Sequence, residues 1–395
     1  VVKGTLAFVL LVVLALAATE ASRRLGRRGL EAPGLQSFLT VLLGALLGHA
    51  GLGLFTENIL VTIGPVVLLG LAWVGLIVGL QFDLRVLGSL QPWHRRVGFL
   101  LPLGVGLGVA GVAFALGARG PTLVLLGSVA MVTTPRVVDH LSRTGPPTDR
   151  SAMRLVKLVA ALSSVPALLT WGVGITLVSE PHFQMAVLPG QAATLILAAG
   201  LAVILGYATM VLLRGETESV HILALLVGVM ALIAGAAELT GAEPMLMAAL
   251  TGALIANRSP NPHRILRAAH GLEVPMLTAI LLLVGAWWHP GGFSLLALGV
   301  LVLVRAALLL AAGGVLASEA RRRTAPVLVR WLGLGLAPHG PLALAFLVAA
   351  TRDGSLPASV AVGVFASLVV NHVVGARWHR NVLFPRRSGT AEGHP

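Results

Sequence analysis

Some thirteen stretches of this chain are long and apolar enough to cross a lipid bilayer, and only short polar loops separate them. A crossing helix needs about 17–25 residues. The runs fall near 4–22, 35–53, 61–82, 97–117, 121–142, 153–178, 186–213, 219–239, 243–257, 273–290, 293–318, 329–350 and 357–384. In hydrocarbon no water pairs with the backbone, so each run must close its own hydrogen bonds as a helix. The spacing predicts an all-α polytopic membrane protein of about 13 transmembrane helices.

Composition agrees with that reading. Hydrophobic residues make up 56% of the chain and charged residues 11%, against about 25% charged in soluble domains. The 47 glycines suit helices that approach closely in lipid. There is no cysteine, which excludes disulfides, thiolate metal sites and thiol catalysis. Metalloprotease, nucleophile-elbow and phosphate-loop motifs are missing from suitable contexts, so neither enzyme activity nor a cofactor nor a metal is expected. The glycine-rich GVGLGVAG, from Gly104 to Gly111, lies inside the fourth run and reads as helix packing.

A net charge of +13 could suggest nucleic acid as a partner, but the arginines are distributed by topology. They collect in the loops after odd-numbered runs: Arg23 to Arg28, Arg85 with Arg95 and Arg96, Arg143 with Arg150, Arg214, Arg258 with Arg264 and Arg267, Arg321 to Arg323, and Arg386 with Arg387. Arg119 and Arg352 are the exceptions. Positive loops stay on the cytoplasmic side. The expectation is a multi-pass protein of the cell membrane with an outer N-terminus and a cytoplasmic C-terminus; its partner is the lipid bilayer and not nucleic acid. Only Lys3 precedes the first run, so that run is expected to be retained rather than cleaved.

Two runs carry signs of interruption. In GSVAMVTTPRVVDHL, Thr133, Thr134 and Pro135 have the grammar of a helix start placed inside a membrane span. In LGLGLAPHGPLALAF, Pro338, Gly340 and Pro341 fall within one turn and cannot continue a regular helix. Broken helices at corresponding places suggest two inverted repeats with a transport site between them at mid-depth. A third run, RLVKLVAALSSVPALLTWGVG, places Ser163 and Ser164 beside Pro166 at its centre. Polar groups there require protein or a watered cavity to satisfy them.

Several of these stretches together resemble the monovalent cation–proton antiporter superfamily of sodium/hydrogen and potassium/hydrogen exchangers. SSVPALL stands where that family has a segment like DDVLALL. VGLIVGLQFDLRVL is similar to its glycine-rich third span, and GSVAMVTTPRVV to its TSP-type broken helix. AELTGAEPMLMAALTGALIANRSPNPHRI resembles a span reading AxLxGLxPxxGAFxAGxxLAN. LGLGLAPHGPLALA and VVNHVVG look like its last two core helices. The resemblance covers nearly the whole chain in order.

It implies an antiporter-type fold with two crossing broken helices. Scaffold helices would occupy 1–90 and 216–290, transport helices 91–180 and 291–385, a linker helix 181–215 and a cytoplasmic tail 386–395. It also implies a homodimer through the scaffold, and a monovalent cation and protons as the transported species. The transport-site candidates are Ser163, Ser164, Thr133, Thr134, Arg305, His339 and His372. Arg305 lies mid-span, where the family carries a basic residue, and faces the core. Ser163 and Ser164 replace the acidic pair, and hydroxyls do not exchange protons near neutral pH. Glu238, Glu243 and Glu273 fall on the scaffold side, while Arg305, Arg136 and Lys157 leave the core positive. His339 and His372 are the side chains able to titrate there. Three functions stay open: cation–proton antiport, carriage of an anionic solute, and a non-transporting membrane subunit.

Overall fold

The computed structural model describes residues 13, 20, 33–48, 51–134, 157–178, 188–216, 218–287, 292–321, 333, 336–352, 354 and 356–378. Throughout these, the regular structure is helical. In chain order the helices are α1 (Pro33–Leu47), α2 (Glu57–Leu80), the short α3 (Leu84–Ser89), α4 (Pro92–Ala115) and α5 (Gly120–Met131). Then come α6 (Ser164–Val178), α7 (Leu188–Leu212), α8 (Ser219–Thr240), α9 (Pro244–Arg258) and α10 (Pro262–Trp287). The last are α11 (Leu295–Gly299), a π-helical turn at Val300–Val304, α12 (Arg305–Arg321), α13 (Pro341–Arg352) and α14 (Ala358–Trp378). Among the described residues, seven helices are long and apolar enough to cross a membrane, and three shorter apolar ones accompany them. Apart from residues 13 and 20, the run at 4–22 lies outside the described residues, as do Arg136 and the tail.

Local chemistry sets the helix ends. Glu243 accepts from the Leu246 N–H at 3.0 Å and Pro244 takes the first helical position, starting α9. Gly241 closes α8 with φ +69°, a left-handed geometry that a Cβ would strain. One boundary differs from expectation: the run at 273–290 belongs to a helix that begins at Pro262. Its first three turns are amphipathic. Ile265 and Ala269 are buried while Arg264 and Arg267 face outward, so hydropathy alone starts the helix too late.

One apolar cluster joins α2, α7, α8, α9 and α10 through Trp73, Leu76, Ala202, Met230, Met247 and Ala269 among others. These helices pack as one group, here termed the scaffold. A Cβ at Gly75 or Gly79 would collide with the Met245 or Ala249 carbonyl of α9, and one at Gly252 with the Leu76 carbonyl. The α2–α9 pair therefore packs backbone on backbone, as small residues permit in lipid. The loop after α2 is clamped to α9: the Asn257 amide donates to the Phe82 carbonyl at 2.8 Å and accepts from the Leu84 N–H at 2.7 Å. Arg85 adds a bond to the Ala256 carbonyl at 2.9 Å. Trp73 Nε1 ties α2 to α10 through the Ala269 carbonyl at 3.2 Å.

The helices α4, α5, α6, α11, α12, α13 and α14 make up a second unit, and one apolar cluster joins it continuously to α1 and to α2, α9 and α10 of the scaffold. Trp171 of α6 stacks on Phe346 of α13, with ring centroids 5.3 Å apart.

Gly79→Ala should loosen the scaffold, costing about 1–3 kcal/mol through overpacking and lowering the thermal midpoint of the detergent-solubilised protein. Gly235→Ala, where a Cβ meets nothing within 4 Å, should leave that midpoint unchanged or slightly raised.

Candidate functional site

Both expected interruptions are present, and they meet. The α5 helix stops at Met131, and the chain runs on without helix through Val132, Thr133 and Thr134. On the other side, Ala337 to Gly340 precede α13 as irregular backbone. The two segments are joined directly. The Thr134 N–H donates to the Pro338 carbonyl at 3.1 Å, and Thr133 Oγ1 donates to the Leu336 carbonyl at 3.0 Å.

A helix that ends inside the protein leaves its last carbonyls without partners, and here a single side chain collects them. Arg305 Nε donates to the Ala130 carbonyl at 2.9 Å, and Nη2 donates to Val132 and Leu336, each at 3.0 Å. Nη1 donates to the Ala337 carbonyl. Arg305 is completely buried, with no exposed surface. Its guanidinium carries five donors in a planar fork, and four hydrogen bonds to two different chain breaks follow from that shape. The π-helical turn immediately before it widens the helix, and Asn371 Nδ2 of α14 donates to the Leu301 carbonyl within that turn at 3.1 Å.

Ser163 is buried at a one-residue break between the helical segment from Lys157 and α6. Its hydroxyl donates to the Ala160 carbonyl at 2.7 Å and accepts from the Thr133 N–H at 3.2 Å. It thus holds α6 to the first break. Ser164, half-buried, points the other way into a cavity of about 80 Å³, room for several waters or a partly dehydrated ion. That cavity lies between the two units. Thr133, Thr134, Ser164 and the start of α13 line one side; Gln81, with Glu273 and Leu277 of α10, lines the other.

The sequence candidates therefore separate into groups. Thr133, Thr134, Ser163, Ser164 and Arg305 converge on the crossing. His339 sits in the second break, buried, with neither ring nitrogen hydrogen-bonded among the described residues. Neither His339 nor His372 lines the cavity. Glu273, on α10, faces the crossing and is buried at 7% exposure. The available signal was the i,i+3 pair His270–Glu273 at the polar entry of an apolar run. No group of three or more potential metal-binding side chains occurs among the described residues.

The sequence matches no family model and no curated protein. The structure does match solved ones. It superposes on the sodium proton antiporter MjNhaP1 from Methanocaldococcus jannaschii with a TM-score of 0.61, covering 95% of this chain and 97% of that one at 14% identity. The chain has the fold of a sodium proton antiporter. In this antiporter fold the described crossing carries hydroxyls, backbone carbonyls and one arginine, and the nearest carboxylate lining the cavity comes from the scaffold.

Arg305→Ala should orphan four buried carbonyls, each costing about 1–3 kcal/mol. A fall in the thermal midpoint in detergent far beyond that of Arg352→Ala is expected. Arg352, whose ion pair with Glu238 spans 3.5 Å near the surface, should contribute within about 1 kcal/mol.

Proposed function

We propose that this chain is a secondary transporter exchanging a monovalent cation, Na⁺ or K⁺, for protons. The unit bearing the two breaks would move against the scaffold around a fixed site. The observation that carries this reading is the cavity at the crossing, whose mainly apolar lining carries the polar side chains of Thr133, Thr134, Ser164, Gln81 and Glu273. It is walled on one side by the crossing and on the other by scaffold helices α2 and α10. A hydrogen-bonded crossing beside such a cavity suits alternating access: the site stays intact while its two walls slide.

The chemistry of the walls favours a cation. Threonine, serine and glutamine oxygens, together with a carboxylate, are hard ligands suited to hard ions. An anionic solute is the weaker reading, because four of the Arg305 hydrogen bonds already go to backbone carbonyls. The cell membrane, an outer N-terminus and a homodimer joined through the scaffold belong to the same proposal. Exposed Leu232 and Leu239 of α8 offer an apolar surface for the second copy.

Reconstituted proteoliposomes with an imposed pH gradient test it. Na⁺, K⁺ and Li⁺ should each be added in turn, with chloride, sulfate and carboxylate salts of an impermeant cation as controls. Dissipation of the gradient by Na⁺ or K⁺ alone is expected. Dissipation by anions only would replace this reading with anion carriage, and no response to any solute would leave a non-transporting subunit. In the same vesicles a cysteine at Ser179 should react with an impermeant maleimide from the outer face, and one at Leu239 should cross-link between copies.

A further inference from the structure

We propose that Asn371 is the positioning residue for the guanidinium clamp: it holds the π-helical turn at Val300–Val304 that aims Arg305 at the two breaks. The register of that turn does not depend on what the chain carries. Its consequence for transport rests on the exchange reading above.

The turn leaves one backbone group in need of a partner. In an α-helix the backbone N–H of Arg305 would donate to the Leu301 carbonyl, four residues back. Here it donates to the carbonyls of Val300 and Val302 instead. The bond to Val300 closes over five residues, so the turn holds one residue more than an α turn. The Leu301 carbonyl loses its Arg305 donor at a residue with no exposed surface. Asn371 Nδ2 takes that place at 3.1 Å, from a side chain that is itself buried. A buried carbonyl without a donor is costly, so the turn and the asparagine amide stabilise each other.

Both ends of the segment are tied, and the extra residue lies between them. Upstream, the Ser294 N–H at the start of α11 donates to the Ser359 carbonyl at 3.1 Å, and a Cβ at Gly363 would collide with the Ser294 carbonyl. Downstream, Arg305 is fixed to the breaks by its four hydrogen bonds. One residue corresponds to about 100° of helix rotation. With the turn relaxed to α-helix, the Arg305 side chain would leave the face that meets Ala130, Val132, Leu336 and Ala337. Ser359, Gly363 and Asn371 all stand on α14. That helix therefore sets the register in which the arginine is presented.

The chain has no cysteine, which allows a register assay on the full-length protein. A Cβ at Gly108 of α4 would lie 2.8 Å from Leu308 Cδ1 of α12. Gly108→Cys with Leu308→Cys thus joins α4 to the helix face just beyond Arg305, and a short bifunctional thiol reagent in proteoliposomes should link the pair. Asn371→Leu keeps the bulk and loses the donor. It should lower the cross-linked fraction and the exchange rate each by roughly fivefold or more, with a fall in thermal midpoint. Deleting Leu303, whose side chain is 71% exposed, should turn the π turn into α-helix without moving Arg305. The Arg305 N–H would stay on Val300, now four residues back, and the Leu301 carbonyl would take the Ala306 N–H. In that background Asn371→Leu should change neither the cross-linked fraction nor the midpoint.

A role for Asn371 in packing alone would give the same midpoint shift with and without Leu303, and that result overturns the proposal. A wild-type cross-linked fraction in Asn371→Leu overturns it too, and leaves the exchange reading standing. Should Asn371→Leu fail to fold with Leu303 present, the deletion decides: loss of the cross-link on removing Leu303 alone overturns the proposal, and its retention with Asn371→Leu added supports it. A wild type that exchanges no cation removes the exchange reading, while the cross-linked fractions still decide the register.

Discussion

Everything at the crossing depends on the guanidinium of Arg305. Breaking two helices inside a membrane leaves carbonyl groups that neither water nor a continuing helix can satisfy. An arginine in the same region is itself costly, by about 2.5–3.5 kcal/mol on the mildest scale. Each problem solves the other. The charge is solvated by the carbonyls of Ala130, Val132, Leu336 and Ala337, and those carbonyls gain charge-assisted partners. Both breaks are thereby bound to one helix, α12, and become parts of one body.

That arrangement explains what Ser163 does. It serves as a bridge between α6 and the first break, through the Thr133 N–H. Among the described residues, the hydroxyls and Arg305 leave the crossing positive and without a carboxylate of its own. The scaffold supplies the opposite character. Its helices meet through Gly75, Gly79 and Gly252 at backbone distance, and α10 brings the Glu273 carboxylate to the shared cavity. The cavity at the seam between units thus has a carboxylate on one wall and hydroxyls on the other.

Much of this was legible in the sequence. The Thr-Thr-Pro and Pro-His-Gly-Pro segments mark the breaks because proline and glycine forbid helix continuation wherever they stand. Arg305 announces itself because an arginine inside an apolar run demands internal partners. Which partners it takes was not legible. Backbone carbonyls carry no sequence signature, and the π-helical turn that precedes Arg305 sits in an unremarkable VLVLV. The VVNHVVG segment drew notice for His372, while Asn371 makes the hydrogen bond to that turn. Glu273 was visible as a residue but not as a wall of the cavity. Its facing follows from how α10 packs on α2, and from an amphipathic helix start that hydropathy places too late.

The proposed sliding of one body against the other can be tested directly, because the chain has no cysteine. Cysteines at Val78 on the scaffold and Leu342 on α13 would stand on opposite walls of the cavity. They can be joined by a short reducible bifunctional reagent in proteoliposomes. Two rigid bodies that must move past each other predict that cation–proton exchange stops on cross-linking and returns when the linker is reduced. Exchange that continues at the uncross-linked rate with both cysteines joined would contradict the moving-unit account.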